Sequence, residues 1–267
     1  MEKSIEARLE EIFKEWYERM YSEKSYLEDK KEPFTKDGIL FNENIPANII
    51  EDMWKLSSRR VLFLLKDQNQ KGKDKWFEDI RDWLRVTEFD RDKEHNKNSD
   101  KSITQKEKNK NLQDPFMKKL AYLLWGLSKI DKNNDWWEGE IDMHLDKVRE
   151  FYNTQPFALI ECKKLPGGGK VDDTEIRTHI TTYKDLLKRE IETLEPNIIV
   201  CMSGPGYHFA LNDLFKKDDL ESYGKNVHVY RKNGKETLIL YSYHPSHPQF
   251  SYDNAMYHYR EYLKKNQ

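Results

Sequence analysis

Asp67 and His244 are the residues of this chain whose type and setting best suit chemistry. Asp67 stands in Lys66-Asp67-Gln68-Asn69-Gln70, directly after the apolar run Val61–Leu65. A carboxylate at the end of a buried strand can orient a water or stabilise a cationic transition state, and Asn69 can hydrogen-bond a ligand edge or a water. Asp and Asn are also ordinary capping residues where a strand stops. His244 stands in Ser242-Tyr243-His244-Pro245-Ser246-His247-Pro248-Gln249-Phe250, after the apolar run Thr237–Tyr241. Two prolines make that turn rigid. A histidine held in it suits a hydrogen-bond donor aimed at a developing anion. A purely structural histidine is the plain alternative, and no third ligand is spaced for a metal.

Two further segments sit at strand ends. Glu161-Cys162-Lys163-Lys164-Leu165-Pro166-Gly167-Gly168-Gly169-Lys170 combines glycines, which let backbone approach a phosphate, with lysines that supply charge. It lacks the spacing of a P-loop, and a flexible loop with solvated lysines fits it equally. Glu161 ends its strand at the rim, either pointing into a site or paired with a nearby lysine. Ser203-Gly204-Pro205-Gly206 admits close approach of a ligand, or tight packing of strand on helix.

The elements that must position these residues follow from periodicity. Apolar runs at 61–65, 156–160, 197–202 and 237–241 have the length and continuity of strands buried on both faces. The last is expected to pair with 227–230 through a turn at Asn233-Gly234. Helical spacing appears at 3–21, 46–57, 74–85, 115–129, 141–152, 173–194, 206–216 and 252–265. Strands alternating with helices predict a parallel sheet covered on both faces, with sites at the carboxyl ends of its strands. Residues 87–114 are almost wholly polar. They form either a disordered insertion or a basic flap that meets phosphate, since seven basic residues face four acids between Arg91 and Lys110.

Composition narrows the field. The chain has 267 residues, 46 Lys plus Arg against 48 Asp plus Glu, and a formal net charge of -2, so it carries no overall basic field for nucleic acid. Lysines nevertheless gather near the strand ends, at 66, 71, 73 and 75 and at 163, 164 and 170, which predicts a basic face offset by an acidic back. No apolar run has the length of a membrane helix and the start lacks a secretory signal, so a cytoplasmic location and no membrane partner are expected. Two cysteines, Cys162 and Cys201, are too few for a disulfide scaffold, a four-cysteine zinc site or an iron–sulfur cluster.

Taken together, the strand-end segments resemble the uracil-DNA glycosylase superfamily. His244-Pro245-Ser246 matches all three residues of that family's second motif, with a Tyr before it as in several branches. Leu65-Lys66-Asp67-Gln68-Asn69 sits where the first motif, in its Leu-Gly-Glu-Ala-Pro form, would fall. Asp67 takes the acidic position, while Lys66 and Asn69 replace its Gly and Pro. The resemblance covers roughly residues 58–265. It implies a three-layer α/β/α sandwich around a four-stranded parallel sheet, with residues 1–57 as an N-terminal helical extension packed on the core. It also implies cleavage of the N-glycosidic bond of a flipped base, without metal or other cofactor, by a monomer acting on single- or double-stranded DNA. Asp67, or Asn69 if the register is slipped, would position water or stabilise the sugar cation. His244 would donate to the leaving base. Trp76 or Phe77 would stack on the base, and Glu161 would stand where an Asn often reads it. A carboxylate there favours an amino-bearing, cytosine-like base over uracil. His247, Gln249 and Phe250 would fill the gap left in the duplex. Lys66, Lys163, Lys164, Gly168, Ser203 and Ser246 would contact DNA, chiefly its phosphates. The degenerate first motif keeps a second reading open, a non-catalytic nucleic-acid-binding module on the same fold. A hydrolase of free nucleosides or nucleotides is a third.

Overall fold

A computed structural model describes residues 3–22, 34–40, 45–66, 79–81, 112–165, 173–202, 214–215 and 219–266. Its centre is a mixed sheet of seven strands: β1 (Gly38–Leu40), β2 (Val61–Leu65), β3 (Phe157–Glu161), β4 (Ile198–Cys201), β5 (Leu220–Ser222), β6 (Val227–Lys232) and β7 (Lys235–Tyr241). Their order is β1-β3-β2-β4-β7-β6-β5. The expected sheet of four strands is therefore too small. Four parallel strands, β3-β2-β4-β7, do form its middle, but β1 adds antiparallel to β3 and β6 adds antiparallel to β7, with β5 outside it. The four apolar runs become the central strands because each is covered on both faces. The β6–β7 hairpin closes at Asn233 and Gly234, both with positive φ (52° and 74°), the backbone that an Asn-Gly turn adopts at low cost.

Helices cover both faces. On one lie α1 (Ile5–Ser22), α2 (Ala47–Leu56), α6 (Asp173–Thr182) and α7 (Lys184–Leu194). They pack on Leu62, Leu64, Ala158, Ile160, Ile199 and Cys201. On the other lie α3 (Pro115–Lys129), α4 (Glu138–Met143), α5 (Leu145–Thr154) and α8 (Tyr252–Asn266). They pack on Phe63, Leu65, Phe157, Leu159, Val200 and Leu240. Alternate residues of each strand thus feed opposite cores, as the two-residue period of a strand dictates. The first helix is part of this core, since Leu9, Phe13 and Trp16 are buried among the strand residues.

Several elements differ from their periodicity. The helix expected over 173–194 is two helices, broken at Tyr183 (φ −111°, ψ 24°), whose ring packs 5.7 Å from that of Trp16. The helix expected over 141–152 begins earlier and breaks at His144 (φ −118°, ψ 27°), which packs on Trp136. Residues 79–81, placed by spacing in a helix over 74–85, instead form a bridge in which the Ile80 N–H donates to the Lys36 carbonyl. The rest of that segment, and most of 87–114 and 206–216, lie outside the described residues.

Candidate functional site

The carboxyl ends of β3, β2, β4 and β7 share one edge of the sheet. The chain leaves β2 through α3, α4 and α5 to reach β3 on one side, and leaves β4 to reach β7 on the other. Such a reversal opens a crevice between the two strand ends, where open α/β sheets bind their ligands. Beyond the strands the ladder continues for one more step. Lys163 N–H donates to the Lys66 carbonyl (2.9 Å), Met202 N–H to Leu64 (2.9 Å) and Ser242 N–H to Cys201 (3.0 Å). Lys66, Lys163, Met202 and Ser242, at or near the starts of the four segments singled out in the sequence, therefore lie along this edge.

His244 stands at this edge, partly buried. Its Nδ1 accepts the Ser246 backbone N–H at 3.2 Å, so the hydrogen of a neutral ring belongs on Nε2. Burial first, then the charges of Lys66, His247 and Lys119, push the imidazole down to about 4. A neutral ring with its donor on Nε2 is the form that can hydrogen-bond a developing anion at neutral pH. The loop around it is stiffened by two successive turns: His247 N–H donates to the His244 carbonyl (2.8 Å) and Phe250 N–H to that of His247 (3.0 Å). Tyr243 stacks on His247 with ring centroids 4.7 Å apart.

Two residues of α3 that periodicity marks only as helix meet this loop. Asp114 caps the helix, accepting the N–H groups of Phe116 (2.8 Å) and Met117 (3.3 Å), with Pro115 in the first turn. That cap delivers the Phe116 ring to 5.3 Å from the His244 ring. One turn on, Lys119 Nζ donates to the Pro245 carbonyl at 2.5 Å and lies 5.0 Å from the Phe250 ring. The spacing of three positions puts both side chains on one helix face, which is the signal that could have paired them.

The remaining predicted residues divide. Lys66 lies beside the crevice, with Nζ 2.7 Å from Asp173. Asp67, the next residue, and Asn69, Trp76, Phe77, Gly168 and Ser203 lie outside the described residues. Glu161 is buried, 5% exposed. By the alternation of β3 it belongs to the face of Phe157 and Leu159, the face on which Phe116 meets His244. Ser246, His247 and Gln249 are exposed and Phe250 is half-buried under Lys119.

Two lysines are not where a phosphate contact needs them. Lys163 is buried, 3% exposed, and its Nζ lies 2.6 Å from Glu175. Lys164 is wholly buried and turns to the opposite core. Its ammonium donates to Asp37 Oδ2 (2.5 Å) and Glu190 Oε1 (3.1 Å) and lies over the rings of Trp16 and Phe13, at 5.1 and 5.6 Å. The reading of Lys164 as a DNA contact is corrected accordingly, because an ammonium inside the core cannot reach a phosphate. Burial alone would push that ammonium down, but Asp37 and Glu190 outweigh it and hold its pKa up. Burial and the neighbouring Asp37 push the Glu190 carboxyl well up. Asp37 Oδ2 also accepts the Glu161 backbone N–H at 2.7 Å, tying this cluster to the strand end.

Both cysteines are buried and unbridged, and burial raises both thiols, that of Cys201 to about 12. Among the described residues no His, Cys, Asp and Glu side chains group as metal ligands would, and no helix is long and apolar enough to cross a membrane. No protein-family model matches the chain, and no curated protein matches its sequence.

Proposed function

We propose that the chain is a monofunctional DNA glycosylase that hydrolyses the N-glycosidic bond of a flipped uracil-like or modified base, cytosine-derived bases included. The observation that carries this reading is His244, a neutral imidazole whose Nδ1 is committed to Ser246 and whose Nε2 remains as donor, just beyond the carboxyl end of β7. Cleaving a C1′–N bond creates a sugar cation and a base anion. His244 would stabilise the anion. Asp67, immediately after a lysine whose charge reaches His244, would stabilise the cation or position the water. A buried Glu161 on the same face supports an amino-bearing base, since a carboxylate accepts and the cytosine N4 group donates. DNA is the proposed partner, with the protein acting as a monomer in the cytoplasm.

The test is excision from single- and double-stranded oligonucleotides carrying uracil or modified cytosines, read as alkali-labile abasic sites. Wild type should cleave, and His244→Ala and Asp67→Asn should each lose at least about a hundredfold. Strong uracil excision abolished by Glu161→Ala would remove the cytosine preference. Binding without excision on every substrate would transfer the site to the second reading, a non-catalytic nucleic-acid-binding module, which the departures at Lys66 and Asn69 favour. Neither binding nor excision would end both.

A further inference from the structure

The 242–251 connection leaves the sheet after β7 and contains Pro245 and Pro248, neither of which has a backbone N–H. It therefore has more carbonyls than donors: its own turns satisfy the His244 and His247 carbonyls, and further anchoring has to come from outside the loop. Among the described residues that anchoring comes from one face of α3. Phe116 lies against the His244 ring, Lys119 Nζ holds the Pro245 carbonyl at 2.5 Å, and the same ammonium lies over the Phe250 ring at 5.0 Å. Lys119 thus touches the loop on both sides of its exposed tip, Ser246 to Gln249.

We propose that Lys119 is the positioning residue of this site, pinning the loop through Pro245 and Phe250 so that His244 stays seated on Phe116 with Nδ1 on the Ser246 amide. An ammonium does two things there that an apolar side chain of equal length cannot. It supplies the donor that the proline-rich loop lacks, and it sets a positive charge beside an imidazole whose work requires it to be uncharged. Among the described residues, the charged and titratable groups around His244 are Lys66 at the end of β2 with its partner Asp173 from α6, His247 in the loop, and Lys119 from α3. After burial, Lys66 acts most strongly on the imidazole, then His247 and then Lys119; Lys119 differs from the other two in that it also holds the loop, through the Pro245 carbonyl and the Phe250 ring. This role rests on the reading of His244 as a neutral donor given above.

The experiment is an NMR titration of the His244 imidazole in wild type, Lys119→Met and Lys119→Arg, with the resonance assigned by its loss in His244→Gln. Wild type should titrate near pH 4, and Lys119→Met should move part of the way toward the ordinary value of about 6.5. The Ser246 amide should lose exchange protection in Lys119→Met, and Lys119→Arg should restore both. On an excised substrate, Lys119→Met should lower kcat about tenfold or more at neutral pH with little change in KM, and move the acid limb of the profile upward. An unchanged His244 titration with unchanged Ser246 protection overturns the proposal. If Lys119→Met does not fold, Lys119→Gln carries the same readouts. The titration needs no substrate. A protein that excises nothing but shows the shift keeps the role of Lys119 and loses the glycosylase reading, and the reverse result separates them the other way.

Discussion

Replacing Lys164 with Met should cost this protein much of its stability, although a lysine in a Gly- and Lys-rich segment reads as a surface residue. The ammonium is wholly buried and sits between Asp37 at 2.5 Å and Glu190 at 3.0–3.1 Å, with two aromatic rings beneath it. Methionine preserves the stem and its packing but removes the charge. Asp37 then remains a buried carboxylate without its cation, and removing one partner of a buried pair costs about 3–5 kcal/mol. At roughly 2–4 °C per kcal/mol for a chain approaching this size, Tm should fall by about 6–20 °C. Glu190→Gln should cost far less, about 1 kcal/mol, because an amide keeps the shape and a hydrogen-bond acceptor for Lys164 at a position where burial already disfavours the charged carboxylate. The sign of the pH dependence follows. A folded-state pKa raised above the unfolded value means that the folded protein holds the extra proton, so stability from this group is full below the ordinary glutamate value of about 4.3 and is lost as pH rises beyond it. Glu190→Gln should flatten that decline. Thermal and urea unfolding across pH measure all three effects. A Lys164→Met variant within 1 kcal/mol of wild type, or a Glu190→Gln variant as damaging as Lys164→Met, would refute the assignment of charge in the cluster.

Two further outcomes follow from the same geometry. His244 runs opposite in sign to Glu190: its folded pKa of about 4 lies below the unfolded value of about 6.5, so unfolding takes up a proton as pH falls through that window and stability drops. Urea midpoints measured from pH 7 to 4 should show the drop in wild type and a smaller one in His244→Gln. Gly126 lies inside α3, where a Cβ would come within 2.2 Å of the Tyr252 hydroxyl, itself hydrogen-bonded to the Trp136 carbonyl at 3.0 Å. Gly126→Ala should therefore destabilise by about 1–3 kcal/mol despite alanine's better helix propensity. Tyr252→Phe in that background should recover part of the loss, read as a shift in Tm.

The central strands were legible because each is a continuous apolar run, and His244 because rank order along the chain puts it after the last of them. The edge strands were not legible. Gly38–Leu40 and Leu220–Ser222 have three residues each, too few to display a period of two. The helix breaks at His144 and Tyr183 were hidden because packing against Trp136 and Trp16, not local propensity, fixes their backbone. Lys164 misled because its partners Asp37 and Glu190 stand 127 and 26 positions away. Phe116 and Lys119 were passed over for a different reason. Their spacing is helical, and a helical spacing describes which face a residue shares, not whether a loop from the far end of the chain will come to rest on that face.

The lysine count also has to be reread in this light. A basic face was inferred from lysines gathered near the strand ends, yet the described ones are largely matched: Lys66 by Asp173, Lys163 by Glu175 and Lys164 by Asp37. Two of those acids come from the first turn of α6, where the helix dipole favours them anyway. Around these described lysines the strand ends are thus closer to neutral than their composition suggests. The crevice itself differs, because the cation nearest the Pro245 carbonyl is held by neutral groups. A positive field confined to a partly buried loop does little to collect DNA from solution. It lies instead beside His244, where, on the proposed reading, low dielectric would strengthen it and it would favour the group that gains negative charge. Electrostatics of this kind would give excision a weak dependence on salt in both kcat and KM, and a KM that rises steeply with salt would show instead that charge serves the encounter.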